Sequence, residues 1–311
     1  MKVGFEVSYQ PRVLVIQDIS ASCRISMNVA VPILSCLNNE VSLLPTALLS
    51  THTTSGFEDY TFLDLTDESD KILKHWTKLG LQFDGVLVGY LGSVHQIKIV
   101  QYVLDHLLKN NGKFILDPVM GDNGELYEGF DVDYVERIKA LCKQAAVILP
   151  NITEASYLTG YHIDSDNRAN LSLLIKKVAE LNQSTAIITG VSNDEEAIGA
   201  LSYDLLDQTI RYESGPYYPG HFEGSGDLFS SVVAGLMLNQ KSVHEAMRVA
   251  VKYVNKSIKR TTELPKEKWR YGVRFETDIP YLLSELYDEN EVNAEKRKSL
   301  MNKRYKNEKN N

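Results

Sequence analysis

The stretch DGVLVGYLGSVHQIKIVQYVLDHLLKNNGKFILDP, residues 84 to 118, contains a strand, a helix and a second strand in succession. Residues 84–90 and 112–118 are short apolar runs, whereas residues 94–109 repeat their apolar side chains at spacings of three and four. Two strands joined through a helix usually pair in parallel, with the helix lying on one face of the sheet. The stretch therefore predicts a parallel α/β fold.

The same alternation extends from this unit in both directions. Further strands are predicted at 12–16, 41–45, 145–151 and 185–190, and further helices at 25–37, 70–79, 131–142, 168–182, 242–260 and 276–286. Two less regular runs, 199–204 and 209–214, predict an antiparallel hairpin. The predicted fold class is α/β, with a mostly parallel central sheet covered by helices on both faces.

The organisation of the chain is predicted to be simple. The sequence has no internal repeat and no linker rich in proline or glycine, so residues 1–286 are expected to form one domain. Residues 287–311 are charged and nearly free of apolar side chains. We expect this segment to be a frayed or disordered tail, because it cannot bury enough apolar surface to order itself.

Composition limits the classes of partner. A net charge of −8 argues against nucleic acid as the main partner, because phosphate backbones need a basic face. The sequence has no apolar run of eighteen residues and its first residues lack a signal-peptide pattern, so neither a membrane partner nor export is expected. Three scattered cysteines, Cys23, Cys36 and Cys142, agree with a reducing compartment. A cytoplasmic protein is predicted.

Polar side chains follow several of the predicted strands, and ligands of α/β sheets bind beyond the carboxyl ends of the strands. The residues in question are Asp117 at the end of 112–118 and Asp122 beyond it, Asn151 at the end of 145–151 and Glu154 beyond it, and Thr189 in 185–190. Each alone is explained by a turn or a helix cap. Together with Asp227, however, the carboxylates would repel one another unless a cation lay among them. A magnesium ion carrying a polyphosphate fits that need.

The stretch HFEGSGDLFSSVVAGLML, residues 221 to 238, places a Gly-Ser-Gly-Asp turn before an apolar helix. One interpretation is helix capping, in which Ser225 and Asp227 satisfy the N–H groups of the first turn. The other is a phosphate site, in which Gly224 to Gly226 expose N–H groups and Asp227 deprotonates an attacking hydroxyl. Because the chain has neither a P-loop nor a Gly-x-Gly-x-x-Gly turn between a strand and a helix, this is its remaining candidate anion site.

Three motifs in this order resemble the ribokinase-like kinases, and within them the vitamin B6 kinases that act on pyridoxal, pyridoxine and pyridoxamine. They are DPVMGDNGELY (117–127), the Asn151-to-Glu154 element and GSGDLFSSVVAGL (224–236), with support from VLVIQD (13–18), LLSTHTTSGF (48–57) and VGYLGS (88–93). The resemblance covers about Arg12 to Leu286. It implies a three-layer α/β/α sandwich and ATP-dependent phosphorylation of the 5′-hydroxymethyl group of a vitamer, in the salvage of pyridoxal 5′-phosphate.

The resemblance also implies a role for individual residues. Asp227 would be the catalytic base, and Gly224, Ser225 and Gly226 would form the anion hole. Asp117 and Glu154 would hold Mg²⁺, and Asp117, Asp122, Asn151, Glu154 and Thr189 would bind the nucleotide. Asp18, Ser20, His52, Thr53, Tyr90 and Asp227 would surround the pyridine substrate. For His52 a structural loop role, and for Tyr90 a packing role, remain alternatives. A homodimer is expected from the family.

The sequence also departs from the family pattern. The first loop, DISASCRIS (18–26), lacks glycines that related B6 kinases often have there, and Ser225 replaces the usual threonine. Leu149 stands where many relatives have a small or hydroxyl residue, so the sequence does not decide whether the monovalent-cation site of some relatives is present. Gly121 stands where some hydroxymethylpyrimidine kinases have a cysteine. A hydroxymethylpyrimidine or other small-alcohol kinase of this fold, and a non-catalytic ligand-binding relative, are the alternative functions.

Overall fold

A computed structural model describes residues 9–53, 56–163, 168–194 and 196–286. The predicted tail, residues 287–311, lies outside the described residues. The strands are β1 Arg12–Ser20, β2 Glu40–Leu49, β3 Phe62–Asp64, β4 Phe83–Val88, β5 Leu108–Leu116, β6 Gly121–Asp122, β7 Glu125–Leu126, β8 Val147–Ile148, β9 Thr185–Asp194, β10 Ala197–Asp204 and β11 Thr209–Pro216. The helices are α1 Met27–Cys36, α2 Thr66–Lys78, α3 Val94–His106, α4 Val132–Cys142, α5 Ile152–Thr159, α6 Arg168–Asn182, α7 Ser225–Leu238, α8 Val243–Thr262 and α9 Ile279–Leu286, with 3-10 turns at Lys266–Tyr271 and Glu276–Asp278.

The central sheet has nine strands in the order β11-β10-β9-β8-β5-β4-β1-β2-β3. The six strands from β9 to β2 in this order pair in parallel, whereas β3 at one edge and β10 and β11 at the other are antiparallel to their neighbours. The prediction of a mostly parallel sheet with an antiparallel hairpin is therefore confirmed. A separate two-stranded ribbon joins β6 to β7.

The side chains of the inner strands alternate between two apolar layers. In β1, Val13 and Val15 pack with α1, α7, α8 and α9, whereas Leu14 and Ile16 pack with helices α2 to α6. All four side chains are fully buried, because successive residues of a strand point to opposite faces of a sheet that is covered on both sides. The alternation produces the predicted three-layer α/β/α sandwich.

Several elements differ from the predicted bounds in ways that affect the site. Strand β1 continues four residues past Ile16, because Ile19 and Ser20 still pair with Leu48 and Leu49 of β2. Asp18 and Ser20 are therefore strand residues rather than loop residues. The predicted strand 145–151 shortens to Val147–Ile148, shortly before Pro150, which has no N–H group to donate. None of the helices in the described ranges combines the length and hydropathy of a membrane-spanning segment.

Candidate active site

Asp117 lies immediately after β5 at the carboxyl edge of the sheet and is buried. Its backbone N–H donates to the carbonyl of Val88, which extends the pairing of β5 with β4 by one residue. Burial, followed by the negative charge of Asp227, raises the pKa of Asp117 to about 8, while a hydrogen bond from the Ser230 side chain acts in the opposite direction. Burial and the neighbouring charge therefore both favour the protonated form of this carboxyl group.

Glu154 is also buried, and the backbone holds both of its carboxylate oxygens. The N–H of Asn151 donates to Oε2 at 2.8 Å and the N–H of Met120 donates to Oε1 at 3.1 Å. In return, the N–H of Glu154 donates to Oδ1 of Asn151 at 2.9 Å, which completes a reciprocal capping box at the start of α5. Burial and then the charge of Asp117 raise the pKa of Glu154 well above its usual value.

Asn151 connects the start of α5 to the ribbon that carries Asp122. Its Nδ2 donates to the carbonyl of Gly121 at 2.8 Å. Asn123 and Gly124 form the two-residue turn of this ribbon with φ of 52° and 86°, the left-handed pair that a tight hairpin requires. Asn151 also pairs with Thr189 through an isolated β-bridge. The structure thus brings Asp117, Asn151, Glu154 and Thr189 to one sheet edge, with Asp122 on the adjoining ribbon.

The start of α7 is not capped by its own side chains. Gly224 is the N-cap residue with φ of 74°, and neither Ser225 nor Asp227 accepts a hydrogen bond from the first turn within the described part of the chain. Instead, the carboxylate of Asp227 accepts a hydrogen bond from the backbone N–H of Ser26. The side-chain hydrogen bonds of the capping interpretation are therefore absent, although Asp227 does lie in the first turn. The Ser225 N–H donates to the carbonyl of Phe222 at 3.3 Å, which leaves the neighbouring N–H groups of the turn for an anion.

The carboxylate of Asp227 has an intermediate pKa. Burial is the main cause, and the charges of Asp18 and Glu223 add to it, whereas the hydrogen bond from Ser26 lowers the pKa. The result is a pKa raised to about 6, which leaves Asp227 mostly ionised at neutral pH and still basic enough to accept a proton.

The two glycines beside Asp227 have different surroundings. A Cβ atom on Gly224 would lie 2.2 Å from the carbonyl oxygen of Arg24, so only glycine permits this close packing of α7 against the first loop. A Cβ atom on Gly226 would have no atom within 4 Å. The space in front of the first turn of α7 is therefore open at Gly226 and closed at Gly224.

Asp18 anchors the predicted substrate side. Its Oδ1 accepts a hydrogen bond from the Ser26 hydroxyl at 2.5 Å, and its Oδ2 accepts one from the Ser20 hydroxyl at 3.0 Å. Burial raises the pKa of Asp18 despite these hydrogen bonds. Tyr90, after β4, is close enough for the charge of Asp18 to add to the effect of burial, and both raise the pKa of the phenol. Asp18, Ser20 and Tyr90 are thus neighbours.

His52 and Thr53 lie on the loop after β2. The Nε2 of His52 donates to the carbonyl of Arg270 at 2.6 Å, and its ring meets the edge of Phe57 at 4.9 Å between centroids. The contact with Arg270 fastens this loop to the 3-10 turn at Lys266–Tyr271, as the structural alternative for His52 predicts. Thr53 follows with an exposed side chain. Tyr90 packs beside Phe130 at 5.9 Å, so its packing role is also present.

Two residues near the acids are absent from the sequence-based candidates. Tyr127 is 42% exposed, and the charges of Glu154, Asp122, Asp117 and Glu223 add to burial in raising the pKa of its phenol. Glu223 adjoins Gly224 and lies near Asp227. Their sequence signal is position alone, since Tyr127 ends the motif that begins at Asp117 and Glu223 precedes the Gly-Ser-Gly turn.

The carboxyl groups of Asp117 and Glu154 are suited to a cation that binds together with the phosphates of a nucleotide. Asp117 and Glu154 are buried neighbours with raised pKa values, so a nearby positive charge would relieve their repulsion. Within the described ranges, however, no three acidic, histidine or cysteine side chains are grouped to enclose a metal. Mg²⁺ is commonly held by one or two carboxylates together with substrate phosphates and water. The residues present therefore fit a nucleotide-borne Mg²⁺.

Comparisons with known proteins agree with this geometry. Residues 69–271 match the family model described as phosphomethylpyrimidine kinase. The pyridoxal kinase of Dictyostelium discoideum is 28% identical over 208 residues, which cover 61% of this chain and 68% of that protein. The crystal structure of the Lactobacillus plantarum pyridoxal kinase is 33% identical with a TM-score of 0.81, covering 89% of this chain and 98% of the other.

A second crystal structure, of a Bacteroides thetaiotaomicron protein provisionally named phosphomethylpyrimidine kinase, was obtained with pyridoxal. It is 34% identical to this chain, with a TM-score of 0.81, and the alignment covers 88% of this chain and 96% of the other. The family model alone spans more than half of the sequence. The chain therefore belongs to the phosphomethylpyrimidine kinase family, among the ribokinase-like vitamin B6 kinases.

Proposed function

We propose that this protein is a pyridoxal kinase, which transfers the γ-phosphoryl group of ATP to the 5′-hydroxymethyl group of a vitamin B6 vitamer. The observation that carries the proposal is the position of Asp227. Its carboxylate lies in the uncapped first turn of α7, and the backbone of Ser26, from the predicted substrate loop, donates to it. A base thus lies between an anion site and the residues proposed to hold the alcohol.

The chemistry follows from this placement. Asp227 takes the proton of the hydroxymethyl group while the alcohol oxygen forms a bond to the γ-phosphorus, and the bond from phosphorus to the β,γ-bridging oxygen breaks to release ADP. The N–H groups at Gly224 and Gly226 stabilise the charge of the transferring group, and the Ser225 N–H contributes once it leaves the carbonyl of Phe222, to which it donates at 3.3 Å. Holding the two reactants in line supplies much of the acceleration, since the protein forms no covalent intermediate.

ATP is proposed to bind with Mg²⁺, which supplies positive charge to the phosphate oxygens when it is bound. Asp117 is proposed to contact the ion, and Glu154 to contact it mainly through water, because both Glu154 oxygens already accept backbone hydrogen bonds. Asn151, Asp122 and Thr189 line the nucleotide side. Binding of a monovalent cation remains a prediction of the family resemblance. Leu149, the residue that departs from the family pattern there, is buried in the apolar layer.

The vitamer is proposed to bind on the other side of Asp227. Asp18, Ser20 and Tyr90 would contact the polar groups of the pyridine, with His52 and Thr53 at the rim. The pyridoxal-bound Bacteroides protein and the relatives named pyridoxal kinase support this substrate class. Burial raises the pKa of Asp18, and the hydroxyl groups of Ser20 and Ser26 already donate to its two oxygens.

A substrate panel tests the proposal. Pyridoxal, pyridoxine, pyridoxamine and hydroxymethylpyrimidine are each incubated with ATP and Mg²⁺, and ADP and the phosphorylated product are measured. We expect ADP and phosphorylated vitamer in equal amounts. The family description favours hydroxymethylpyrimidine as the second candidate substrate. Its preferential phosphorylation would show that hydroxymethylpyrimidine, and not a vitamer, is the substrate. Tight calorimetric binding of a vitamer with no ADP formed would instead indicate a non-catalytic relative.

The expected homodimer is also proposed, on the basis of an apolar surface at one sheet edge. Leu48 of β2 and Phe62 and Leu63 of β3 are 41%, 54% and 56% exposed, and they line a groove of about 410 Å³. Large apolar side chains grouped on a sheet edge are typical of association surfaces. We call Leu48, Phe62 and Leu63 the edge patch, and propose that it packs on a second copy of the chain.

Two broader proposals concern the whole chain. We propose that residues 1–286 act as one domain, since a single sheet takes strands from Arg12 to Pro216 and helices up to Leu286 pack on it. We also propose a cytoplasmic location. Cys23, Cys36 and Cys142 all carry free thiols, as a reducing compartment would maintain.

A further inference from the structure

Three neighbouring strands place Gln17, Gly89 and Asp117 in one row at the carboxyl edge of the sheet. Ile16 of β1 pairs with Val88 of β4, and Val88 pairs with Leu116 of β5. The residues that follow are Gln17 in β1, Gly89 directly after β4 and Asp117 directly after β5, and the N–H groups of Gly89 and Asp117 continue the pairing by donating to the carbonyls of Ile16 and Val88. The residues two positions earlier, Val15, Leu87 and Ile115, all pack in the apolar layer with α1 and α7. By strand alternation, the side chains of Gln17 and Asp117 point to that face.

Gln17 is the unusual member of this row. Its side chain is 2% exposed, and its buried Nε2 has no hydrogen-bond partner within the described part of the chain. Its Oε1 lies 2.2 Å from the position that a Cβ atom would take on Gly89. The amide therefore occupies the space that glycine leaves at the end of β4. A buried amide donor without a partner opposes folding, so its presence calls for an explanation.

The first turn of α7 lies over the end of β4, where the Gln17 amide is located. Leu238, the last residue of α7, packs on Gly85 near the start of β4, which puts the first turn over the opposite end of β4. Asp227 in that turn interacts with Asp18 at the end of β1 and with Asp117 after β5, the strands on either side of β4. The Gln17 amide thus lies in the floor of the site, below the proposed catalytic carboxylate.

We propose that Gln17 orients the phosphoryl acceptor, its Nε2 donating a hydrogen bond to an oxygen that enters the site with the substrate. That oxygen belongs to the hydroxymethyl group itself or to a water molecule bound beside it, which share the same hydrogen-bonding chemistry. The inference rests on the proposed kinase function. It explains why the unliganded protein retains an unpaired amide in its interior, since functional sites are where such a cost is tolerated.

The test compares Gln17→Met with the wild type. Methionine has a similar length and no donor, so we expect a higher Tm for the unliganded variant and kcat/KM for pyridoxal reduced by about tenfold or more. Thr46→Val is the matched control, because the Thr46 hydroxyl is likewise buried without a partner but belongs to β2. That control should gain Tm and keep the wild-type kinetics. A lower Tm for Gln17→Met, or a failure to fold, would show that the amide is structural and would overturn the inference.

A binding comparison identifies the oxygen and needs no turnover. Calorimetry measures the Kd of pyridoxal and of 5-deoxypyridoxal, in which a methyl group replaces the hydroxymethyl group. If Gln17 bonds the hydroxymethyl oxygen, Gln17→Met weakens only pyridoxal, by about tenfold; if it bonds a water, both ligands weaken. Unchanged affinity for both ligands would contradict the inference. Failure of the wild type to phosphorylate any vitamer would reject the kinase function, a separate result.

Discussion

Asp117, at the end of β5, lies within electrostatic reach of Asp227 in the first turn of α7, and the charge of Asp227 disfavours ionisation of Asp117. Burial and this repulsion together raise the pKa of Asp117 to about 8. The unliganded site is therefore under electrostatic stress that protonation or a cation relieves. The stress should be visible in how stability depends on pH.

The free energy of unfolding of the unliganded protein should fall as pH rises from about 4 to about 8. In the unfolded chain Asp117 titrates near 3.8, so within this window the folded protein holds a proton that the unfolded chain has released. Asp117→Asn should flatten the dependence, as measured by thermal unfolding across the window. Asp207→Asn, at an exposed turn carboxylate whose pKa is lowered by hydrogen bonds from Thr209, is the control and should not flatten it.

Asp227→Asn should lower turnover by about a hundredfold or more while ADP binding and the fold are kept, because the amide cannot accept the proton of the alcohol. In the wild type, kcat/KM should rise with pH through an apparent pKa near 6, as Asp227 ionises. Initial rates across pH and calorimetry with ADP measure both effects. Wild-type turnover in Asp227→Asn would reject its role as the base.

Asn151→Ala should damage both stability and nucleotide binding. Loss of its capping box lowers the free energy of unfolding by about 1 kcal/mol, and loss of the bond from Nδ2 to Gly121 frees the ribbon that carries Asp122. We expect a higher KM for ATP. Ser242→Ala removes the same kind of capping box at the start of α8 and should cost similar stability without changing KM. Equal KM values for the two variants would contradict the role of Asn151.

The two glycines of the turn should respond differently to alanine. Gly224→Ala should lower Tm markedly, because its φ is positive and its Cβ would collide with the Arg24 carbonyl oxygen. Gly226→Ala should keep or raise Tm, because alanine favours a helix over glycine by up to about 1 kcal/mol of unfolding free energy. It should nevertheless weaken ATP binding, because its methyl group would enter the open space proposed for the phosphate. Normal ATP affinity in Gly226→Ala would show that the phosphate lies elsewhere.

Phe62→Glu should convert the proposed dimer to a monomer, because a carboxylate in the edge patch would be buried without a partner on association. Sedimentation or light scattering measures the mass. Leu206→Glu is the matched control, since Leu206 is 92% exposed on the turn between β10 and β11 and lies far from the edge patch in the sheet order. A dimer that persists in Phe62→Glu would place the interface on another surface.

The fold was predictable where burial leaves a periodic signal in the sequence. Residues 13–16 of β1 and 114–116 of β5 are buried on both faces, so they appear as apolar runs separated by helical patterns. Strand β3 has no such signal, because Phe62, Leu63 and Asp64 are all exposed and pair only with the end of β2. The two-residue strands β6 and β7 depend on the Asn123-Gly124 turn rather than on burial.

The site was predictable only in part. Strand ends and the family motifs indicate Asp117, Glu154 and Asp227, but the sequence does not show that Ser26, about two hundred residues from Asp227, is its hydrogen-bond donor. Capping therefore looked reasonable for Asp227. The unpaired state of the Gln17 amide likewise depends on three strands meeting in register, a property of the assembled sheet. The substrate class came from the resemblance, since no spacing of residues specifies a pyridine.

The carbonyl oxygen of Arg24 has a consequence for redesign. Cβ atoms on Gly224 and on Gly272 would lie 2.2 and 2.3 Å from this one oxygen, so three distant segments of the chain converge on it. Specificity could be altered by exchanging residues 20–26 for the loop of another kinase. Such a graft will succeed only if the donor loop keeps the same backbone path at position 24, whatever side chains it carries. The backbone of residues 20–26 and the first turn of α7 must therefore be kept together in any redesign.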